Sequence, residues 1–63
     1  MTLTDREVQV LQLAAEGLEN SEIGERLYLS PATIKSNIHR ILTKLSARNR
    51  AHAVAMAIRN GWL

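Results

Sequence analysis

The feature that most constrains this chain is the short break between two helical patterns at its centre. One pattern ends near Leu27, and the next begins at Ser30 and Pro31, where a capping serine precedes a proline whose missing N–H is not needed. About three residues separate the two patterns, which favours two helices that cross steeply. We expect residues 1–63 to form a single domain, since 63 residues suffice for one small core.

Capping signals and apolar periodicity predict four helices and no strand. Thr4 and Glu7 form a capping box before the first helix, and Gly17 ends it. We expect Asn20 and Asn49 to cap the second and fourth helices. The predicted fold class is therefore all-α, with helices at about 5–16, 21–28, 31–45 and 50–59.

The apolar residues that recur at helical spacing give a candidate core. They are Val8, Leu11, Ala15 and Leu18 in the first helix, Ile23 and Leu27 in the second, Ile34, Ile38, Ile41, Leu42 and Leu45 in the third, and Ala53, Val54, Ala57 and Ile58 in the fourth. Gly24 lies inside the second helix, where glycine costs about 1 kcal/mol relative to alanine. We predict that another helix approaches closely at Gly24, and that a bulky residue there destabilises the fold.

Charge is divided unequally between the two halves of the chain. Residues 1–29 hold all six acids and two bases, a net charge of −4, whereas residues 30–63 hold six bases and no acid, a net charge of +6. A half of one sign in a small domain favours a polyanionic partner, although chance segregation on a solvated surface is the competing explanation.

Opposite its apolar stripe, the third helix carries short polar side chains and no acid. At about 100° per residue, Ser36, His39 and Thr43 lie on this outer face. Such a face suits the DNA major groove, which is about 12 Å wide, and the helix N-terminus favours phosphate. We therefore predict sequence-specific binding to double-stranded DNA, with the helix at 31–45 in the major groove.

An ordered set of motifs covers nearly the whole chain: Leu3-Thr4-x-Arg6-Glu7-x-x-Val10-Leu11, Ala15-Glu16-Gly17, Glu22-Ile23, Leu27-x-Leu29-Ser30, Thr33-Ile34-Lys35, Ile41-Leu42-x-Lys44-Leu45 and Asn49-Arg50-x-x-Ala53-Val54. The set resembles the LuxR-type (FixJ/NarL) DNA-binding domain of bacterial transcription regulators. The resemblance implies four helices, a third helix that reads DNA and a fourth that often dimerises. The chain departs from the family pattern at Asn37, where histidine is common, and at Gly24, where alanine is usual.

The outer face and the resemblance together assign roles to individual residues. We predict base-edge contacts by Lys35, Ser36 and His39. Predicted phosphate contacts are Thr33, Arg40, Lys44, Arg48, Arg50, Ser30 and Asn20. Simple helix capping is the stronger explanation for Ser30 and Asn20. The predicted homodimer interface on the fourth helix comprises Ala51, His52, Ala55, Met56 and Arg59.

The sequence favours no catalytic site, cofactor or metal site. It contains no cysteine, and His39 and His52 lie on different predicted helices without a nearby acid, so we do not expect a metal site. No set of nucleophile, base and orienting residue is discernible, so we do not expect an enzyme. The absence of cysteine fits a cytoplasmic protein, and no apolar run is long enough for a membrane span.

The resemblance also suggests partners and regulation. Many family members are response regulators of two-component systems, with an N-terminal receiver domain that this chain lacks, so the chain is either a fragment or a stand-alone regulator. RNA polymerase is a further candidate partner. Two alternatives remain: a promoter-binding domain like that of a sigma factor, which the predicted fourth helix disfavours, and a helical protein-interaction module using Ala51, Ala55 and Met56.

Overall fold

A computed structural model describes residues 3–63, which fold into four α-helices; residues 1 and 2 of the predicted domain lie outside this part. The helices are α1 (Asp5–Ala15), α2 (Asn20–Leu27), α3 (Pro31–Leu45) and α4 (Arg50–Arg59). Each bound lies within one residue of its predicted position. Between residues 3 and 63, no helix combines the length and the apolar character that are needed to cross a bilayer.

The start of α1 confirms the predicted capping box. The Glu7 N–H donates to Thr4 Oγ1 at 3.1 Å, and the Thr4 N–H donates to Glu7 Oε1 at 2.8 Å. The predicted cap of α2 is wrong by one residue, because Glu19 is the N-cap and Asn20 is already helical. There the Glu22 carboxylate accepts a hydrogen bond from the Glu19 N–H at 2.9 Å. The Asn20 side chain instead accepts a hydrogen bond from Arg50.

The core lies where α1, α3 and α4 meet and where α2 packs on α3. Its buried apolar residues are Val10, Leu11, Ala14, Ile23, Ile34, Ile41, Leu45, Ala53 and Ala57. Two core predictions for α1 are wrong, since Ala15 is exposed and Val8 is half-buried outside the cluster that packs against the core. Helix α1 is apolar at so many positions that two overlapping stripes exist, and the buried one runs through Val10 and Ala14.

Ile58 is also misplaced by the sequence prediction, because 64% of its surface is exposed. Helix α4 buries Ala53 and Ala57 against α1 and α3. At about 100° per residue, Ile58 points roughly 140° away from Ala53 and 100° away from Ala57. Its side chain therefore adds to the outer face of α4.

The turn between α2 and α3 explains Gly24. Tyr28 ends α2 in the left-handed conformation (φ 59°), and the Leu29 N–H donates to the Gly24 carbonyl at 2.8 Å. This wraps the chain back so closely that the Leu29 carbonyl oxygen lies where a side chain on Gly24 would begin. The prediction that another helix approaches Gly24 is therefore wrong, because the close neighbour is the backbone of the turn itself.

Candidate nucleic-acid interface

Helix α3 lies with one side in the core and the other in solvent. Ile34 and Ile41 are completely buried, whereas Lys35, Ser36 and His39 are exposed. The packing of α2 and α1 against α3 fixes this orientation. The structure therefore brings all three predicted base-contact residues to one solvent-facing side of the helix.

A shallow depression follows this exposed side along α3. It is lined by Lys35, Ser36, His39, Arg40, Thr43 and Lys44. Three of these side chains are basic and none is acidic, so the surface suits an anionic ligand. The depression joins the predicted base contacts to two predicted phosphate contacts, Arg40 and Lys44.

The N-terminus of α3 is capped and open to solvent. The Thr33 N–H donates to Ser30 Oγ at 3.1 Å, and the Ser30 and Thr33 hydroxyls lie 2.9 Å apart. Both residues are exposed, which leaves them accessible to a phosphate at the positive end of the helix dipole. The capping role of Ser30 is confirmed, whereas phosphate contact by Ser30 and Thr33 stays a prediction.

Lys44 forms an ion pair that the sequence did not reveal. Its Nζ lies 2.7 Å from Oε1 of Glu7, and the two side chains are 33% and 2% exposed. Burial alone would raise the pKa of Glu7, but the hydrogen bonds from Lys44 and Thr4 and the charge of Lys44 hold that pKa below its usual range. The ammonium group that was predicted to contact phosphate therefore already has a carboxylate partner.

Arg40 is anchored on its own helix. Its Nη1 donates to Oδ1 of Asn37 at 3.4 Å, and Asn37 is 7% exposed. Arg40 itself is exposed, so the contact with Asn37 ties down one nitrogen of a guanidinium that remains accessible to solvent. Asn37, the residue that departs from the family pattern, thus lies behind a predicted phosphate contact.

Two further predicted phosphate contacts lie beside the start of α4. Arg48 is exposed in the turn before the helix. Arg50 is half-buried, and its Nη2 donates to Oδ1 of Asn20. This contact joins the N-termini of α2 and α4, and it occupies the Asn20 oxygen. Phosphate contact by Arg48 and Arg50, and by Asn20 beside them, stays a prediction.

The predicted dimer residues do not all share one face of α4. Ala51 and Arg59 are exposed, and Ala55 is half-buried between them on the outer side. Met56 packs against the core instead. Around the helix, the exposed Ile58 lies nearer to Ala51 and Ala55 than Met56 does, which makes Ile58 an interface candidate. The sequence prediction did not include it.

Helices α2 and α3 pack together across a short turn, and one side of α3 is buried while the other is exposed and free of acid, which defines a helix-turn-helix domain. Comparison with known proteins supports this class of fold. Residues 1–57 match the family described as "Bacterial regulatory proteins, luxR family". The chain therefore belongs to the luxR family of bacterial regulatory proteins, whose members are DNA-binding transcription regulators and not enzymes.

Curated relatives match over almost the whole chain. The "Uncharacterized transcriptional regulatory protein YxjL" of Bacillus subtilis is 52% identical over 58 residues, covering 92% of this chain and 27% of that protein. The "Response regulator RamR" of Streptomyces coelicolor is 40% identical, covering 98% of this chain and 31% of that protein. The "DNA-binding transcriptional activator DevR/DosR" of Mycobacterium tuberculosis is 40% identical, covering 87% of this chain and 25% of that protein. The chain thus spans roughly a quarter to a third of these relatives.

Proposed function

We propose that this chain binds a specific DNA sequence by placing α3 in the major groove. The observation that carries the proposal is the exposed, acid-free side of α3 with Lys35, Ser36 and His39 projecting from it. In that position, lysine donates to guanine acceptors and serine or histidine to a neighbouring base edge. Arg40, Thr33 and the start of α3 then face the flanking phosphates.

Salt dependence of DNA binding tests this proposal. Fluorescence anisotropy with a labelled duplex is measured at roughly 50 and 200 mM salt. A protein that makes six to ten phosphate contacts loses about 10³–10⁵ in affinity over that range. Steep loss supports the electrostatic footprint and justifies selection of a specific site. Absence of binding at low salt with roughly 100 μM protein would contradict the proposal, since non-specific complexes form in that range.

We also propose that two copies bind together through α4, on half-sites about one helical turn apart. The outer face of α4, with Ala51, Ala55 and Ile58, is small and apolar enough to pair with its own copy. The area offered by one helix of 10 residues is modest, so we expect pairing chiefly on DNA.

The pairing is tested by sedimentation on a duplex with two half-sites. Ile58→Glu, which places a charge on the outer face of α4, is expected to convert two-copy binding to one-copy binding. Gln12→Glu, which places the same charge at an exposed position on α1, is the matched control. One copy of the unchanged chain per saturated two-site duplex would exclude the dimer.

The relatives named above support a proposal about context. One of them is called a response regulator, and each is three to four times longer than the matched segment. We infer that residues 1–63 act as the DNA-binding domain of a regulator of this kind, controlled in a two-component system by a receiver domain. RNA polymerase is the expected further partner at the promoter, in the cytoplasm.

A further inference from the structure

The side chains of Asn20 and Arg50 form the one hydrogen bond that residues 3–63 show between α2 and α4. Nη2 of Arg50 donates to Oδ1 of Asn20, which lies 30 positions away along the chain. Helices α1 and α3 each pack against both α2 and α4, but α2 and α4 do not pack on each other. The relative position of these two helix starts therefore depends on this pair of side chains as well as on the shared core.

The chemistry of the two groups fixes how the Asn20 amide is turned. A guanidinium carries only donors, so its partner must be the amide oxygen and not the amide nitrogen. The nitrogen, Nδ2, keeps two N–H groups and donates to no acceptor within residues 3–63. The buried side-chain polar atoms without a partner in this range are Oε2 of Glu7 and Nε of Arg50. Nδ2 of Asn20 is therefore open to solvent.

Arg50 is held differently from the other arginines that the sequence predicted to contact phosphate. It is half-buried, its Nε lies in the interior, and one of its Nη atoms is bonded to Asn20. Arg40 and Arg48, by contrast, are exposed. Among the described residues, no carboxylate oxygen lies within 4.0 Å of the Arg50 guanidinium, so no direct ion pair neutralises its charge.

Acids at the start of α2 make the place of this charge important. Glu19 and Glu22 lie there, and the Glu22 carboxylate accepts a hydrogen bond from the Glu19 N–H at 2.9 Å. Their negative charge opposes an approaching phosphate. A cation bonded to the Asn20 oxygen offsets this repulsion, and it polarises the amide so that Nδ2 becomes a stronger donor.

We propose that Arg50 is a positioning residue, which contacts no phosphate itself but holds the Asn20 amide so that Nδ2 donates to a DNA phosphate. The inference rests on the proposed DNA binding. It replaces two predicted phosphate contacts by one contact with a support behind it. The two side chains then act as a unit, whereas two independent contacts would give additive losses of binding free energy.

The positioning is tested on the free chain by 15N relaxation of side-chain amides. We expect the Asn20 amide to be ordered in the unchanged chain and mobile in Arg50→Ala. Asn60, whose Nδ2 donates to the Met56 carbonyl at 2.8 Å, is the internal control and should stay ordered in both proteins. A mobile Asn20 amide in the unchanged chain, or one that stays ordered in Arg50→Ala, would overturn the proposal.

The unit is tested by a double-mutant cycle with a labelled duplex at roughly 200 mM salt, where long-range effects of a single charge are screened. We expect Asn20→Ala to raise Kd roughly ten- to hundredfold, because a hydrogen bond to a charged group is lost. Arg50→Ala should raise it roughly two- to tenfold, because a free amide must be ordered on binding. The double variant should match Asn20→Ala. Multiplied losses would mean that Arg50 binds DNA independently.

A second variant keeps the test decisive if Arg50→Ala does not fold. Asn20→Asp retains an acceptor for Arg50 and suits the first turn of a helix, but it lacks the two N–H donors. Ser21→Asp adds the same charge at the exposed neighbouring position and is the matched control. We expect Asn20→Asp to fold and to bind DNA roughly tenfold more weakly than Ser21→Asp. Equal Kd values would overturn Nδ2 as the donor.

Failure of the proposal and failure of the proposed function give different results. Absence of DNA binding by the unchanged chain would count against the proposed function, and the relaxation data would still decide whether Arg50 orders Asn20. Binding by the unchanged chain with no change of the Asn20 side-chain amide signal on addition of the duplex would overturn the phosphate contact alone.

Discussion

The two ends of α3 use their lysines in different ways. Near the N-terminal end, Lys35 is exposed and stands beside Ser36 and His39. Near the C-terminal end, Lys44 reaches back to the buried carboxylate of Glu7 on α1. One lysine is therefore available to a ligand, whereas the other holds α3 against α1. Counting positive charges on a helix does not show how many of them are free to bind DNA.

The largest expected effect that separates the two ends is on stability. Lys44→Ala leaves the Glu7 carboxylate buried without its cation, and we expect a loss of about 2–3 kcal/mol in the free energy of unfolding. Lys35→Ala, the matched control, should change it by less than about 0.5 kcal/mol. Urea denaturation at neutral pH measures both, and equal stabilities would contradict the distinction.

The exposed end of α3 is expected to carry base selectivity. His39→Ala should cost about 1–3 kcal/mol of discrimination at one base-pair position, because a base-edge contact is lost there. Arg40→Ala, a predicted phosphate contact on the same side, should weaken all duplexes alike and lower the salt slope by about 1. Competition binding with a panel of singly substituted duplexes checks both. A uniform loss for His39→Ala would show that its face does not read bases.

The stabilising effect of the Glu7–Lys44 ion pair is expected to weaken in acid. The pKa of Glu7 is lowered in the folded chain, so its stabilising effect is present above the ordinary range of glutamate and is lost as the pH falls through the lowered pKa. At pH 7, Glu7→Gln should cost about 1–2 kcal/mol, because glutamine keeps the cap but loses the charged partner. This difference should shrink toward pH 3 in urea denaturation. A difference that is independent of pH would mean that the carboxylate charge contributes nothing.

The smallest expected effect concerns the turns at both ends of α3. Tyr28 (φ 59°) and Ser46 (φ 52°) hold left-handed conformations that favour glycine. Tyr28 is 94% exposed, so its ring contributes little packing. We expect Tyr28→Gly and Ser46→Gly each to stabilise the fold by about 0.5–1 kcal/mol, measured as a rise in Tm. A gain at one end alone would locate the strain there.

The sequence predicted the helices well because their ends carry local signals. Thr4 with Glu7, Ser30 with Pro31, and Asn49 act within four residues of the backbone groups that they satisfy. The outer side of α3 followed from the same local periodicity, which placed Ser36, His39 and Thr43 correctly in solvent. Contacts of Ser36 and His39 with DNA remain predictions.

Contacts between distant residues were not predictable in this way. Glu7 was recognised as part of a cap, yet its pairing with Lys44 spans 37 positions and depends on how α1 crosses α3. A signal did exist, because Glu7 shares the helical stripe of Val10, Leu11 and Ala14, and an acid on a buried stripe needs a cation. Ile58 was misplaced because periodicity gives the spacing of a stripe but not which of two apolar faces is covered.

The crowded turn after α2 has a consequence for domain engineering. The carbonyl of Leu29 occupies the space of a side chain at Gly24, so the crossing of α2 and α3 depends on the residue at that position. In a chimaera that receives only residues 31–45, a host alanine at the equivalent of Gly24 would meet the backbone of the incoming turn, so we expect the transplanted helix to cross α2 at another angle. The structural unit that must be transferred together is therefore residues 24–45.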